Sequence, residues 1–397
     1  MIDSLGASLR HMCVDIGPRP SGSPENQAAA AYIHQAFVAA GYAVEDQTYA
    51  CPAWQHEHTR LELDGQPVRA CANAFSLPCD VSAPLVPICT LAELEAAHLS
   101  GKIGLLYGDL TNAPLAPKAW FLKSERDTRI VELLEQKAPV ALITVQATTP
   151  GDLVGVIEDA DFNLPSVTVP ADVGLALLRT NSALRLQIKS RRAQGQACNV
   201  VARKAGEHPA RIVLCAHYDT KFNTPGACDN ASGVAMLLAL AEKLGRQKLH
   251  YGLECTAFDN EEYLPIGDDE YMRRNGPSLD DVVMAINMDG VGQLMGGTSI
   301  AIYVSSPAFQ AHVGEIVRRY PGVTWVDPWP ESNHSTYSWR GVPCLAFSTT
   351  AGARIYHTQA DTLERVNLAK LEETLALVQD VVASLQDKSP EWLRPSA

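Results

Sequence analysis

From Asn199 onward the chain alternates apolar β-type runs with amphipathic or apolar helical runs, and this alternation limits the fold more than any other feature. RIVLCAHYD reads as a buried strand, followed by ASGVAMLLALAEKLGR as a helix whose start Asn230 or Ser232 can cap. LECTAFD, VMAINMDG, SIAIYVS and VPCLAFST continue as strands, with AFQAHVGEIVRRY and 366–386 as helices. Apolar strands interleaved with helices predict an α/β fold with a mostly parallel central sheet covered on both faces.

The first half has a different texture. PENQAAAAYIHQAFVAAG, residues 24–41, has Pro near its start and Gly at its end, as a helix does. From Tyr42 to about Arg192 short β-type runs appear (RLELDG, KIGLLYGDL, VALITVQ, PSVTVP), with helices predicted at 125–136 and 171–178. The early helix has no sheet of its own, so it belongs with the second half. The expected organisation is one domain made of 1–52 and 193–397, interrupted by an inserted β-rich domain at 53–192.

In an open α/β sheet, functional groups gather at the carboxyl ends of the strands. Here RIVLCA ends on His217-Tyr218-Asp219, LECTAF on Asp259-Asn260-Glu261-Glu262, and VMAIN on Met288-Asp289. VPCLAFST is followed by a loop and then His357, and Asp229 lies in the turn that opens the helix at about 231. Two imidazoles and three carboxylates suit zinc, and also cobalt or manganese. Sharing one carboxylate gives each of two ions three protein ligands. Of the adjacent Glu261 and Glu262, one carboxylate binds metal while the other stays free to take a proton. Two ions ~3.5–4 Å apart supply a bound hydroxide at neutral pH and polarise a carbonyl.

HYDTKFNTPGACDNASGVA, AFDNEE, INMDG and YHTQADTLERV, taken in order, resemble the M28 family of zinc peptidases, the bacterial aminopeptidase type. GPRPSGSPENQAAAAYI resembles that family's opening segment, and the inserted unit is similar to a protease-associated domain. The resemblance implies that His217, Asp229 and Asp289 hold one zinc, and that Asp229, Glu262 and His357 hold the other. It implies Glu261 as general base and a cis peptide between Asp229 and Asn230. Asp219 would support His217, as a ligating imidazole wants an acceptor for its other N–H. Tyr356 resembles a tyrosine that donates to the oxyanion in some members. The implied reaction is removal of N-terminal residues from peptides or amino-acid amides. A carboxypeptidase or amidase acting on acylated amino acids, a glutaminyl cyclase and a non-catalytic receptor are the other readings.

The chain also departs from that pattern. Tyr263 to Glu270 replaces a glycine-leucine-rich stretch, and its acids Asp268, Asp269 and Glu270 are read either as ammonium-binding groups or as a solvated helix start. Ser332-Asn333-His334-Ser335 stands where Ser-Asp-His is common, which leaves His334 as a candidate pocket residue. Arg273, Arg274 and Arg354 are the basic residues a carboxypeptidase would need, while His56 and His58 read as surface histidines.

Composition removes other classes. A formal charge of −13, from 45 acidic and 32 basic residues, argues against a nucleic-acid partner. No apolar run is long enough for a membrane helix, and the N-terminus has no signal-peptide pattern. The ten cysteines form no C-x-x-C pair and read as buried thiols of a cytoplasmic protein. The oligomeric state is left open.

Overall fold

A computed structural model describes residues 2–146, 153–351 and 355–395. By its internal contacts the chain divides into two compact units: unit 1, Met1–Cys51 with Gln196–Ala397, and unit 2, Pro52–Gly195. The chain leaves and re-enters unit 1 inside two 21-residue strands, β1 (Ala43–Leu63) and β2 (Leu184–Lys204).

The remaining strands of unit 1 are β3 (His208–His217), β4 (Tyr251–Phe258), β5 (Val282–Met288), β6 (Thr298–Tyr303), β7 (Val323–Trp325) and β8 (Cys344–Thr349). Their order across the sheet is β7-β6-β8-β5-β3-β4-β2-β1. The central strands β8, β5, β3 and β4 are mutually parallel, so all four carboxyl ends lie on one edge. Antiparallel β6 and β2 flank them.

The strand side chains alternate between two cores, as a pleated sheet buried on both faces requires. Ile212, Leu214 and Ala216 of β3, with Met284 and Ile286 of β5, join one cluster. Leu237 and Leu240 of helix α3 (Ser232–Gly245) and Val378 and Val381 of helix α6 (Leu368–Ser384) complete it, with Leu9 of helix α1 (Ile2–Arg10) and Phe37 of helix α2 (Pro24–Ala39). Val213, Cys215 and Ala285 face the other way, against Tyr271 of helix α4 (Ile266–Asn275) and Tyr337. Helix α5 (Pro307–Val317) adds Phe309 and Val313 to the first cluster. The sheet is therefore mostly parallel and doubly covered, as the strand–helix alternation predicts. Ala231 stands at the cap of α3, not Asn230 or Ser232; the Asn230 side-chain oxygen accepts the Gly233 N–H at 3.0 Å, and the Ser232 hydroxyl donates to the Cys228 carbonyl.

Unit 2 has its own sheet, in the order Cys71–Ala72, Ser166–Pro170, Ala141–Gln146, Ile103–Leu106, Leu85–Ile88, the last four parallel. Helix Glu125–Lys137 buries Ile130, Val131 and Leu134 against Leu106, Leu142 and Phe162. Parallel strands need crossovers, so this unit carries helices as well as strands. No two of the ten cysteines are bonded, and among the described residues no helix is long and apolar enough to cross a membrane.

Candidate metal centre

The edge formed by the four parallel carboxyl ends collects the titratable residues. His217 is the last residue of β3, Glu261 and Glu262 follow β4, and Asp289 follows β5. After β4 the backbone turns at Asn260, whose φ of 63° is left-handed, a conformation asparagine tolerates better than most residues. Asp219 completes this turn by accepting the N–H groups of both Glu261 and Glu262 at 3.2 Å.

Two three-donor groups form, each with its ligand atoms within 4.8 Å of one another: His217, Asp229 and Asp289, and Asp229, Glu262 and His357. The two carboxylate oxygens of Asp229 face different imidazoles. Oδ1 stands 3.1 Å from His217 Nε2, and Oδ2 stands 3.1 Å from His357 Nε2. Asp289 Oδ1 lies 3.3 Å from His217 Nε2, and Glu262 Oε2 lies 3.2 Å from His357 Nε2. Two ligands ~2.0 Å from a tetrahedral zinc stand ~3.3 Å apart, so these separations fit a shared ion in each group. The donors are nitrogen and oxygen only, which also suits cobalt or manganese.

Electrostatics supports the same fit. Burial works against a charged His217, yet Asp289 and Glu261 outweigh it and hold its pKa well above the ordinary imidazole value. Burial likewise raises Glu262, helped by Asp229, and its Oε1 is enclosed without a hydrogen-bond partner. Asp229 is lowered, since the hydrogen bonds from His217 and His357 overcome its burial. A buried cluster of carboxylates around two imidazoles is the environment a divalent cation neutralises.

Glu261 belongs to neither group. It stands 3.9 Å from His217 Nε2 with 17% of its side chain exposed. Asp219 Oδ1 lies 3.5 Å from His217 Nδ1, long for a hydrogen bond, and the carboxylate also accepts from Ser21. Tyr356 donates its hydroxyl to the Gly290 carbonyl at 2.6 Å, so its proton is committed to the fold in this arrangement. Gly290 has a φ of 67°, and a Cβ there would meet the Tyr356 hydroxyl at 2.6 Å. The Asp229–Asn230 peptide is cis.

Other candidates lie elsewhere. His334 is fully buried between Tyr303 and Trp329 and donates Nε2–H to the Trp329 carbonyl, so it packs as a core residue. Asp268 accepts from Asn333 and Thr336, while Glu270 pairs with Arg273 and Arg274 along α4. His56 and His58 are exposed, on Thr59 and Gln187. Arg354 lies outside the described residues.

Of three buried polar residues behind the site, Arg19 and Asp361 had no local signature, and Asp259 stood at a strand end without an assigned role. Asp259 accepts from Ser21, Asn26, Tyr218 and the Cys198 N–H, bracing the Glu261–Glu262 turn from behind. Arg19 is fully buried, and Asp361 accepts two consecutive backbone N–H groups ahead of the cis bond. Arg19 and Asp361 stand in segments that the resemblance does cover, GPRPSG and YHTQAD.

An α/β sheet that gathers imidazole–carboxylate groups able to hold a divalent ion on its carboxyl edge defines the class of fold and site. Residues 199–382, which carry every candidate ligand, match the sequence profile of peptidase family M28. Among similar proteins is the probable lipoprotein aminopeptidase LpqL of Mycobacterium tuberculosis, 25% identical over 69% of this chain and 55% of that protein. This chain thus spans about half the length of that relative. Aminopeptidase YwaD of Bacillus subtilis is 24% identical over 98% of this chain and 86% of its own. The crystal structure of BSAP, a zinc aminopeptidase from Bacillus subtilis, shares the fold with a TM-score of 0.79 at 20% identity, over 99% of this chain and 98% of that one.

Proposed function

We propose that this protein is a metal-dependent aminopeptidase that holds two divalent ions, zinc first among them, and removes N-terminal residues from peptides or amino-acid amides. The observation that carries this reading is the pair of three-donor groups sharing Asp229, with Glu261 beside them and in neither. His217, Asp229 and Asp289 would hold one ion, and Asp229, Glu262 and His357 the other. When bound, such ions activate water near neutral pH and polarise the scissile carbonyl.

The chain's own groups supply the proton traffic. Glu261 takes a proton from the attacking water and returns it to the leaving amine. Burial raises its pKa well above the carboxylate range, and Asp289, Glu262 and Asp219 add to this against His217. With ions bound beside it, Glu261 would hold the charged form that a base needs. Asp219 fixes the base through its backbone N–H. The amino end of the substrate is favoured because the relatives above are named aminopeptidases. A carboxypeptidase would want an arginine for the terminal carboxylate, but Arg273 and Arg274 are tied to Glu270.

The test is hydrolysis of amino-acid anilides by the zinc-loaded protein. Activity should vanish with a chelator, return with zinc or cobalt, and be absent on N-acylated analogues. Glu261→Gln should lower kcat by roughly 10²–10⁴-fold with metal content unchanged. Wild-type turnover in that variant would remove Glu261 as the base, and cleavage confined to acylated substrates would remove the aminopeptidase reading.

A further inference from the structure

We infer that Asp361 is a positioning residue that links the two proposed ion sites, by gripping the turn that carries the shared ligand Asp229 and fixing it to the loop that carries His357. This rests on the dinuclear reading above. The grip involves three consecutive N–H groups. The Asp361 carbonyl accepts from Ala227 at 3.2 Å, Oδ1 accepts from Cys228 at 2.8 Å, and Oδ2 accepts from Asp229 at 2.9 Å. Asp361 itself is fully buried.

The preceding carbonyls are held by the opposite charge. Arg19 Nη1 donates to the Pro225 carbonyl at 2.9 Å and Nη2 to the Gly226 carbonyl at 3.0 Å. Nε donates to the Tyr218 carbonyl, and Nη1 also reaches those of Met12 and Gly17 at 3.3 Å. The carbonyls of 225 and 226 on a cation, the N–H groups of 228 and 229 on an anion, and the 227 N–H on a backbone carbonyl fix the direction of the peptides from 225 to 229. Gly226 is required between them: its φ is 61°, and a Cβ would stand 2.3 Å from Thr220 Cγ2 and 2.6 Å from the Asp229 carbonyl.

Asp361 reaches this turn from the His357 loop. Thr358 N–H and hydroxyl both bond to the Ile355 carbonyl, and Asp361 N–H bonds to the Thr358 carbonyl. The loop is thus closed on itself, and Asp361 is its tie to the Asp229 turn. The other donors are placed differently. His217 ends a sheet strand, and Asp289 extends one by donating its N–H to the Phe347 carbonyl at 2.9 Å. Two of the three donors in the group of Asp229, Glu262 and His357 therefore depend on Asp361. In the group of His217, Asp229 and Asp289 only the shared one does. Loss of the grip must loosen the two ions unequally, whereas a merely structural residue would loosen both alike.

The experiment is chelator competition on full-length protein loaded with two zinc equivalents, with bound zinc counted after desalting and the apo-protein's Tm recorded alongside. In Asp361→Ala and Asp361→Asn, one ion should leave at a free-zinc level roughly 10–100-fold above wild type, while the other stays near wild-type affinity. Asp361→Asn keeps the shape but presents an N–H where an acceptor is needed, and it decides the matter if Asp361→Ala does not fold. Parallel weakening of both ions, or no weakening, in Asp361→Asn overturns the proposal. A wild-type protein that binds a single zinc overturns the dinuclear reading itself, and that failure is seen without any variant.

Discussion

At the residue scale, the enclosed polar groups separate those set for chemistry from those set for stability. His334 belongs to the second kind. Burial lowers its pKa to about 4, although the Trp329 carbonyl partly favours the charged form. The unfolded chain takes up this proton at a higher pH than the folded one, so stability is complete above the unfolded pKa of ~6.5 and falls as pH drops from there to about 4. Urea melts between pH 7 and 4 should show this slope, and His334→Gln should flatten it. Gly290 gives a second expectation at this scale. Gly290→Ala meets both an unfavourable φ and the Tyr356 hydroxyl, and should cost on the order of 1–3 kcal/mol in thermal or denaturant unfolding.

At the scale of elements, one buried carboxylate fastens three strands and a helix. Glu254 of β4 is fully buried and bonds Arg203 of β2 at 2.6 Å and Arg211 of β3 at 3.0 Å, and it accepts from Tyr271 of α4. Arg203 keeps Glu45 at 3.0 Å, but removing the Glu254 charge takes the carboxylate from the largely enclosed Arg211, so Glu254→Gln should destabilise unit 1 by about 3 kcal/mol in denaturant unfolding. The elements were more legible in the sequence than their attachments. The helices at 24–39 and 125–137 and the strands that end on His217 and Phe258 follow from apolar period, caps and turn residues. The 21-residue extent of β1 and β2 does not, because exposed positions between turn-forming residues carry no strand period. Four of the candidate ligands were visible because they stand at a strand end or helix start, and His357 because it follows the loop after a strand. Arg19 and Asp361 were not, since hydrogen bonds to backbone across 207 and 132 residues leave no local pattern, and Asp259 stood at a strand end with no sign of its partner Asn26, 233 residues away.

At the scale of the whole molecule, each unit has its own apolar cluster, and the proposed ions belong to unit 1 alone. A ligand that binds only the native state stabilises the part that binds it. Zinc removal should therefore speed amide hydrogen exchange in Gln196–Ala397 and leave the sheet peptides of Pro52–Gly195 unchanged. Exchange measured peptide by peptide, with and without chelator, checks this. Equal acceleration in both units would mean that the metal stabilises the chain as one body.

The buried Arg19 also has a consequence for biosynthesis. Its carbonyl acceptors Tyr218, Pro225 and Gly226 lie 199 to 207 residues further along the chain. At a ribosomal pace of ~5–20 residues per second, the guanidinium waits roughly 10–40 s for them. All of Pro52–Gly195 is synthesised within that interval. Unit 2 can thus complete its core while the N-terminal helices are still unanchored, and every candidate ligand, from His217 to His357, is synthesised after it.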